Sequence, residues 1–377
     1  MNSRDDGLEQ IIKKFKFTFM SKKKIAVFDT KPYDKKFFNS INEDPKFGFE
    51  LTFYKHQITI DNVVLAKDFD AICVFVNDFL TEDIINKLHE FGVKLIVLRS
   101  AGYNNVDLKA ALKKLHVKRV PSYSPHAIAE HTVALMLTLN RKIHRAYFRT
   151  RDSNFALSGL LGFDMKGKTA GVIGTGKIGK ALVEILTGMG LHVLTHDLYP
   201  DEEFASRTGC TYVELDTLYN KSDIISLNCP LTKETEYLIN EKSIDKMKDG
   251  VMLINTGRGK LIKTSDLING LKSGKIGHAG LDVYEEENEY FFEDLSDRVL
   301  NDDILARLLT FNNVIITSHQ GFFTEEALHN IVETTLQNVV DFFDGKPSDN
   351  EVCYKCAKGE EDCQKKEGKM CFEEARG

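Results

Sequence analysis

No apolar run in this 377-residue chain approaches the roughly 20 residues needed to span a bilayer, which sets aside a membrane-embedded role. Nor is there a basic excess. The 50 Lys and Arg stand against 56 Asp and Glu, and a net charge of -6 supplies no field for nucleic acid or anionic lipid. The opening MNSRDDGLEQIIKKFKFTFM lacks the unbroken apolar core of a secretory signal, and Asp5, Asp6 and Glu9 are foreign to an organelle transit peptide. Cytoplasmic residence is the simplest expectation. Met20 offers a second start directly before a strand-like run, so residues 1–20 read as an extension. No internal repeat of fixed period is present, which argues against a solenoid or propeller.

With 42% apolar and 28% charged residues, the chain has the profile of a globular protein long enough for two domains. Strand-like apolar runs alternate with amphipathic helical stretches, the pattern of a parallel α/β sheet. A first series of strands is expected at 24–29, 49–54, 71–76 and 93–98, with a helix over 81–91 between the last two. Ser124 suits an N-cap and Pro125 the first helical turn, and one long helix is expected from there to about Phe148. A second strand series follows at 169–174, 192–195, 223–228, 251–255, 279–283 and 314–317. The fold class is therefore α/β with two Rossmann-like domains.

The sharpest local signal is KTAGVIGTGKIGKALVEILTGMG. Gly174, Gly176 and Gly179 form G-x-G-x-x-G between a strand and a helix. The first permits a tight turn, the second lets a pyrophosphate approach the backbone, and the third lets helix and strand pack closely. The pyrophosphate then sits on unpaired amides at the helix N-terminus. A second strand leads to Asp197, whose carboxylate accepts from both ribose hydroxyls and repels a 2′-phosphate. No Arg follows in LYPDEE, so the expected cofactor is NAD rather than NADP.

Reduction of a keto acid by hydride transfer asks three things of a protein. A cation must hold the carboxylate and polarise the carbonyl, and Arg does so with a rigid fork of donors. A general acid must protonate the developing alkoxide, for which His is suited. A carboxylate beside the His orients it and stabilises its charged form. Arg258 lies in a glycine-rich turn after an apolar strand, His319 follows VIITS, and the acidic run Glu285-Glu286-Glu287 lies between them.

The motifs LRSAGYNNVDL, VPSYSPHAIAEHTVALMLTLNR, GVIGTGKIG, INTGRG, GLDVYEEE and TSHQGFFTEEAL occur in this order from about Lys23 to Val352. Together they resemble the D-lactate dehydrogenase branch of the D-2-hydroxyacid dehydrogenases. The resemblance implies a discontinuous substrate domain, 21–122 and 320–352, with an NAD-binding domain, 123–319, inserted and the active site in the cleft between them. It implies Arg258 as the substrate arginine, His319 as acid/base and Glu287 as its partner. Asp282 falls where the family contacts the nicotinamide carboxamide. Ala101 and Gly102 resemble the amides that bind the substrate carboxylate, and Tyr123 and Phe322, with Phe75, are expected to line the pocket. Lys177, Ile178, Cys229, Pro230 and Thr256 complete the expected cofactor contacts, and no metal enters the chemistry. The family commonly has a bulkier residue at Gly257 and Ala at Gly321, so both glycines are expected to enlarge or loosen the site. His56, His89, His126, His131 and His144 read as structural or surface residues.

The implied reaction is interconversion of a small 2-keto acid and its 2-hydroxy acid, with pyruvate and D-lactate favoured. A larger acid such as phenylpyruvate or 2-ketoisocaproate is the nearest alternative, because aromatic walls either exclude a large side chain or stack with one. A dinucleotide-sensing corepressor is the alternative from another class. A homo-oligomer, dimer or tetramer, is expected, with the long helix from Pro125 as a subunit contact. Of seven cysteines, Cys73, Cys210 and Cys229 read as buried reduced thiols. Cys353, Cys356, Cys363 and Cys371 crowd the segment 353–377 with spacing C-x2-C-x6-C-x7-C. That segment reads as a flexible tail with reactive thiols. The finger-like spacing of its first pair keeps a zinc or cluster site open, and a disulfide switch is a third reading.

Overall fold

The computed structural model describes residues 22–287, 290–358 and 368–372. The chain divides into two compact units, one of Met1–Tyr123 with Glu325–Gly377 and one of Ser124–Thr324. No helix among the described residues is long and apolar enough to cross a membrane.

In the first unit β1 (Lys24–Val27), β2 (Glu50–Phe53), β3 (Ala71–Val74), β4 (Leu95–Leu98) and β5 (His116–Lys118) form a parallel sheet in the order β2-β1-β3-β4-β5. β3 and β4 are buried at every position, as continuous apolar runs are when helices cover both faces. Alternate side chains serve opposite faces. Ala26, Ile72, Val74, Ile96 and Leu98 pack with Ile84, Ile85 and Leu88 of the helix Glu82–Glu90. Ile25, Val27, Cys73, Leu95 and Val97 pack with Phe38 of the helix Pro32–Asn42 and with Val332, Leu336 and Val339 of the helix Glu325–Phe343. This second face is why a segment late in the chain returns to the first unit.

In the second unit β6 (Thr169–Ile173), β7 (His192–His196), β8 (Thr211–Tyr212), β9 (Ile224–Leu227), β10 (Val251–Asn255), β11 (Ile276–Leu281) and β12 (Val314–Ile316) form a parallel sheet in the order β12-β11-β10-β9-β6-β7-β8. The chain runs outward from β6 through β7 to β8, then resumes on the other side of β6 at β9. The loops leaving β6 and β9 thus diverge to opposite faces at one point, where open α/β sheets bind ligands beyond their carboxyl ends.

Three expectations need correction. The long helix from Pro125 ends at Arg141, because Lys142 takes a left-handed conformation at φ 50°, and a separate helix Ile143–Arg151 follows. β5 and β8, of three and two residues, are too short to leave a pattern in the sequence. The described part of the C-terminal segment is not loose. Val352 N–H donates to Val117 O at 2.8 Å, and Tyr354–Lys358 is helical. Cys353 and Cys371 are buried, and the Phe372 ring stacks on His116 at 4.0 Å. β5 is an edge strand, and pairing and packing against it explain the order. Cys363 lies outside the described residues.

Candidate active site

The glycine loop sits between β6 and the helix Lys177–Gly188, and each glycine has its own physical reason. Gly174 takes φ +95°, and a Cβ there would lie 2.6 Å from Cys229 N in the neighbouring loop. A Cβ on Gly179 would lie 2.0 Å from Gly174 O, so only glycine allows the helix this close to the turn. A Cβ on Gly176, by contrast, would meet no protein atom within 4 Å. The loop is open on that side, above the free amides of the helix N-terminus. Lys177 is exposed and Ile178 half-buried on the same turn.

Asp197 follows β7. Its Oδ2 accepts from Thr175 N at 2.6 Å and from Thr175 Oγ1 at 2.9 Å, and its Oδ1 accepts from Tyr199 N at 3.0 Å. Burial alone would raise this carboxyl, but the Thr175 and Tyr199 amides hold it below its ordinary value. A fixed carboxylate thus stands beside the glycine loop. Cys229 and Pro230 follow β9, and burial pushes the Cys229 thiol up to about 11, which keeps it a neutral lining group. Thr256, buried after β10, shares a 2.9 Å hydrogen bond with Thr132. An open glycine turn, a helix N-terminus and a carboxylate held at the next strand are the features an NAD molecule requires, so these residues fit that cofactor.

Arg258 stands in the turn after β10. The Asn255 amide donates to Arg258 O at 2.9 Å, its carbonyl accepts from Gly257 N at 3.0 Å, and together they set the turn. Gly259 is obligatory, because a Cβ there would lie 2.0 Å from Tyr284 O. β11 pairs with both β10 and β12, so the turn carrying Arg258 and the segments carrying Asp282 and His319 leave three adjacent strands at the same edge.

His319 follows β12. Its Nδ1 lies 2.9 Å from Glu287 Oε1, and Glu287 Oε2 accepts from Tyr284 N at 3.0 Å. Of the three consecutive glutamates, Glu285 turns away to accept from Thr264 N at 2.8 Å, and Glu286 is exposed. The His319 backbone is left-handed at φ 51°, a sparsely populated region for a side-chain-bearing residue. It is held there by its N–H, which donates to Asp282 O at 2.7 Å.

Asp282 holds this loop from below. At 1% exposure, its Oδ1 accepts from Thr317 Oγ1 at 2.5 Å and Gln320 N at 2.9 Å, and its Oδ2 accepts from Gly321 N at 2.8 Å. His131 Nε2 faces Oδ1 at 3.2 Å and Thr317 Oγ1 at 3.1 Å. Burial would raise this carboxyl, but hydrogen bonds from His131, Thr317 and Gly321 hold it below its ordinary value. A carboxylate so enclosed shapes the His319 loop.

Thr317 was not singled out from sequence, and His131, read as structural or surface, packs against Asp282, a partner 151 residues away that no local pattern marks. The two glycines also need correction. A Cβ on Gly321 would lie 2.9 Å from Asp282 Oδ2 and one on Gly257 3.3 Å from Leu261 Cδ1, so protein already surrounds both positions and neither opens a pocket.

Phe322, buried at 9% exposure, lies edge-on to Phe323 in the second unit. Phe75, Ala101, Gly102 and Tyr123 belong to the first unit, all half-buried. There the Phe75 ring lies 5.1 Å from the guanidinium of Arg99, and Ala101 O accepts from Arg119 at 2.6 Å. Arg99, which lies in the motif LRSAGYNNVDL but was given no role from sequence, is 2% exposed and paired with Asp34 at 3.3 Å.

Comparison with known proteins identifies the family. The family model described as D-isomer specific 2-hydroxyacid dehydrogenase, NAD binding domain, matches residues 133–321. D-lactate dehydrogenase of Escherichia coli (strain K12) is 51% identical over 330 residues, 87% of this chain and 99% of that protein. Among solved structures, D-lactate dehydrogenase of Salmonella has a TM-score of 0.79 at 52% identity, covering 87% of this chain and 99% of that one. The pyruvate reductase of Chlamydomonas reinhardtii has a TM-score of 0.84 at 42% identity, covering 87% and 98%.

Proposed function

The chain belongs to the D-isomer specific 2-hydroxyacid dehydrogenases, NAD-dependent oxidoreductases of small hydroxy and keto acids, and from that premise we infer that it reduces pyruvate to D-lactate. The observation that carries the reading is the His319 Nδ1 to Glu287 Oε1 contact at 2.9 Å, at the sheet edge that also bears Arg258 and the glycine loop. Relatives named for D-lactate or pyruvate support the choice of substrate.

Bound NADH supplies the hydride. Gly174, Gly176, Lys177 and Ile178 take its pyrophosphate side, Asp197 its ribose, and Cys229, Pro230 and Thr256 the remainder of the site. Arg258 grips the substrate carboxylate and polarises the carbonyl with two of its donors. His319, with Nδ1 held by Glu287, presents Nε2 and delivers the proton to the carbonyl oxygen. Glu287 is a positioning residue that stabilises the imidazolium, and Asp282, Thr317 and His131 position the loop beneath it. Ala101 and Gly102 are the proposed carboxylate amides, with Phe75, Tyr123 and Phe322 as pocket liners.

The working form is a homo-oligomer. Ile143, Tyr147, Phe148, Phe155, Leu157 and Leu161 are each more than half exposed within one stretch of the second unit, and a second copy of the chain would cover them. The proposed compartment is the cytoplasm, whose reducing conditions suit the buried single thiols of Cys73 and Cys210.

The test is NADH oxidation with pyruvate, 2-ketoisocaproate and phenylpyruvate, compared by kcat/KM, with the chirality of the product assayed. Pyruvate is expected to lead by at least roughly ten-fold and to yield D-lactate, since that ratio needs only about 1.4 kcal/mol of transition-state discrimination. A preference for either larger acid renames the substrate. No turnover despite tight NADH binding overturns the enzymatic reading.

A further inference from the structure

The C-terminal segment carries chemistry that the hydride transfer does not use. Cys353 precedes the helix Tyr354–Lys358, Cys356 lies in its first turn, and the Cys371 thiol lies beside that of Cys356 from 15 residues further on. The Sγ atoms of Cys353 and Cys356 lie 3.4 Å apart and those of Cys356 and Cys371 3.8 Å apart, with all three within 4.8 Å of one another. A disulfide bond would bring a pair to about 2.05 Å. Four donors about 2.3 Å from a tetrahedral zinc ion stand about 3.8 Å from one another. The observed spacings approach those of sulfurs converging on one ion.

The surroundings agree. Cys353 and Cys371 are buried, and among the described residues Leu112, Cys356 and Phe372 pack beside them. Beside the cluster lies β5, the sheet edge. Lys118 on that strand is 0% exposed, and among the described residues its Nζ has no hydrogen-bond partner.

We propose that Cys353, Cys356 and Cys371 bind one zinc ion, which fastens the C-terminal segment against the edge strand β5. Each thiol loses its proton to solvent as its sulfur bonds the metal, and no electron is transferred. Soft thiolates select zinc among the common divalent ions, and its filled d shell accepts the shape the chain offers. The three sulfurs leave one position of the tetrahedron for a further donor.

The experiment uses the full chain, purified under reductant without chelator. Elemental analysis is expected to find about one zinc per chain, and X-ray absorption at least three sulfur neighbours at about 2.3 Å. The Cys353→Ser/Cys371→Ser variant should lose roughly ten-fold or more of its zinc while keeping NADH-dependent pyruvate turnover. If that variant does not fold, the intact chain is stripped with a chelator under reductant and titrated with Zn2+. Rebinding should then shield at least three thiols from a thiol reagent. Absence of zinc together with failure to rebind it overturns the proposal. So does zinc that survives the double substitution, or a disulfide found among these cysteines in the native chain.

Discussion

At the scale of single residues, the site depends on groups whose roles differ more than their chemistry suggests. Asp282 and Glu287 are both carboxylates near His319, but one is enclosed by protein donors and the other faces the imidazole. The glycines near them behave differently too. At Gly257 an added methyl would meet the flexible end of Leu261 at 3.3 Å, whereas at Gly321 it would press on the buried Asp282 carboxylate at 2.9 Å. Gly257→Ala should therefore change stability by less than about 0.5 kcal/mol and leave kcat within a few-fold. Gly321→Ala should cost about 1–2 kcal/mol and lower kcat, because the strained crowding is transmitted to the loop that carries His319. Urea unfolding and steady-state kinetics on both variants check this, and equal effects would contradict it. Residue types named His319 and Arg258, and among the three glutamates the family resemblance favoured Glu287. The fold sends Glu285 to Thr264 and Glu287 to His319.

Among the elements, those legible in the sequence were the ones whose local signals agree. Apolar runs marked the long strands of both sheets, and the glycine loop announced both its strand and its helix. Signals failed where the decisive contact is remote or the element short. No Gly or Pro marks the break at Lys142, β5 and β8 are too brief to show a period, and the three converging thiols are separated by a polar return. The element most directly tied to cofactor choice is the pairing of the glycine loop with the end of β7. Asp197→Ala removes both the ribose acceptor and the tie to Thr175. It should raise KM for NADH by roughly ten-fold or more, about 1.4 kcal/mol, and narrow the preference for NADH over NADPH. An unchanged ratio of kcat/KM for the two cofactors would remove Asp197 from that role.

For the molecule as a whole, pH acts on stability through groups outside the catalytic edge. Asp78 is fully buried in the first unit, accepting from Ile58 N at 2.8 Å and Phe75 N at 2.7 Å. Burial pushes its carboxyl from 3.8 up to about 6, against the pull of those amides and of Arg99. A raised carboxyl binds its proton more tightly folded than unfolded. Its contribution to stability is full below pH 3.8 and is lost as pH rises through about 6. The whole change amounts to about 3 kcal/mol. Asp78→Asn, already neutral, should lack this decline between pH 4 and 6.5, whatever the lost acceptor costs at all pH values. Parallel stability curves for the two proteins would show that Asp78 does not titrate in this window.

The central claim is that the second unit's sheet edge performs a proton-coupled reduction through His319. The most direct measurement is kcat with pyruvate for His319→Ala, set beside its dissociation constant for NADH. Turnover should fall by roughly 10²–10⁴-fold while NADH affinity stays within about three-fold. Comparable losses in both, or turnover that survives the substitution, would contradict the assignment.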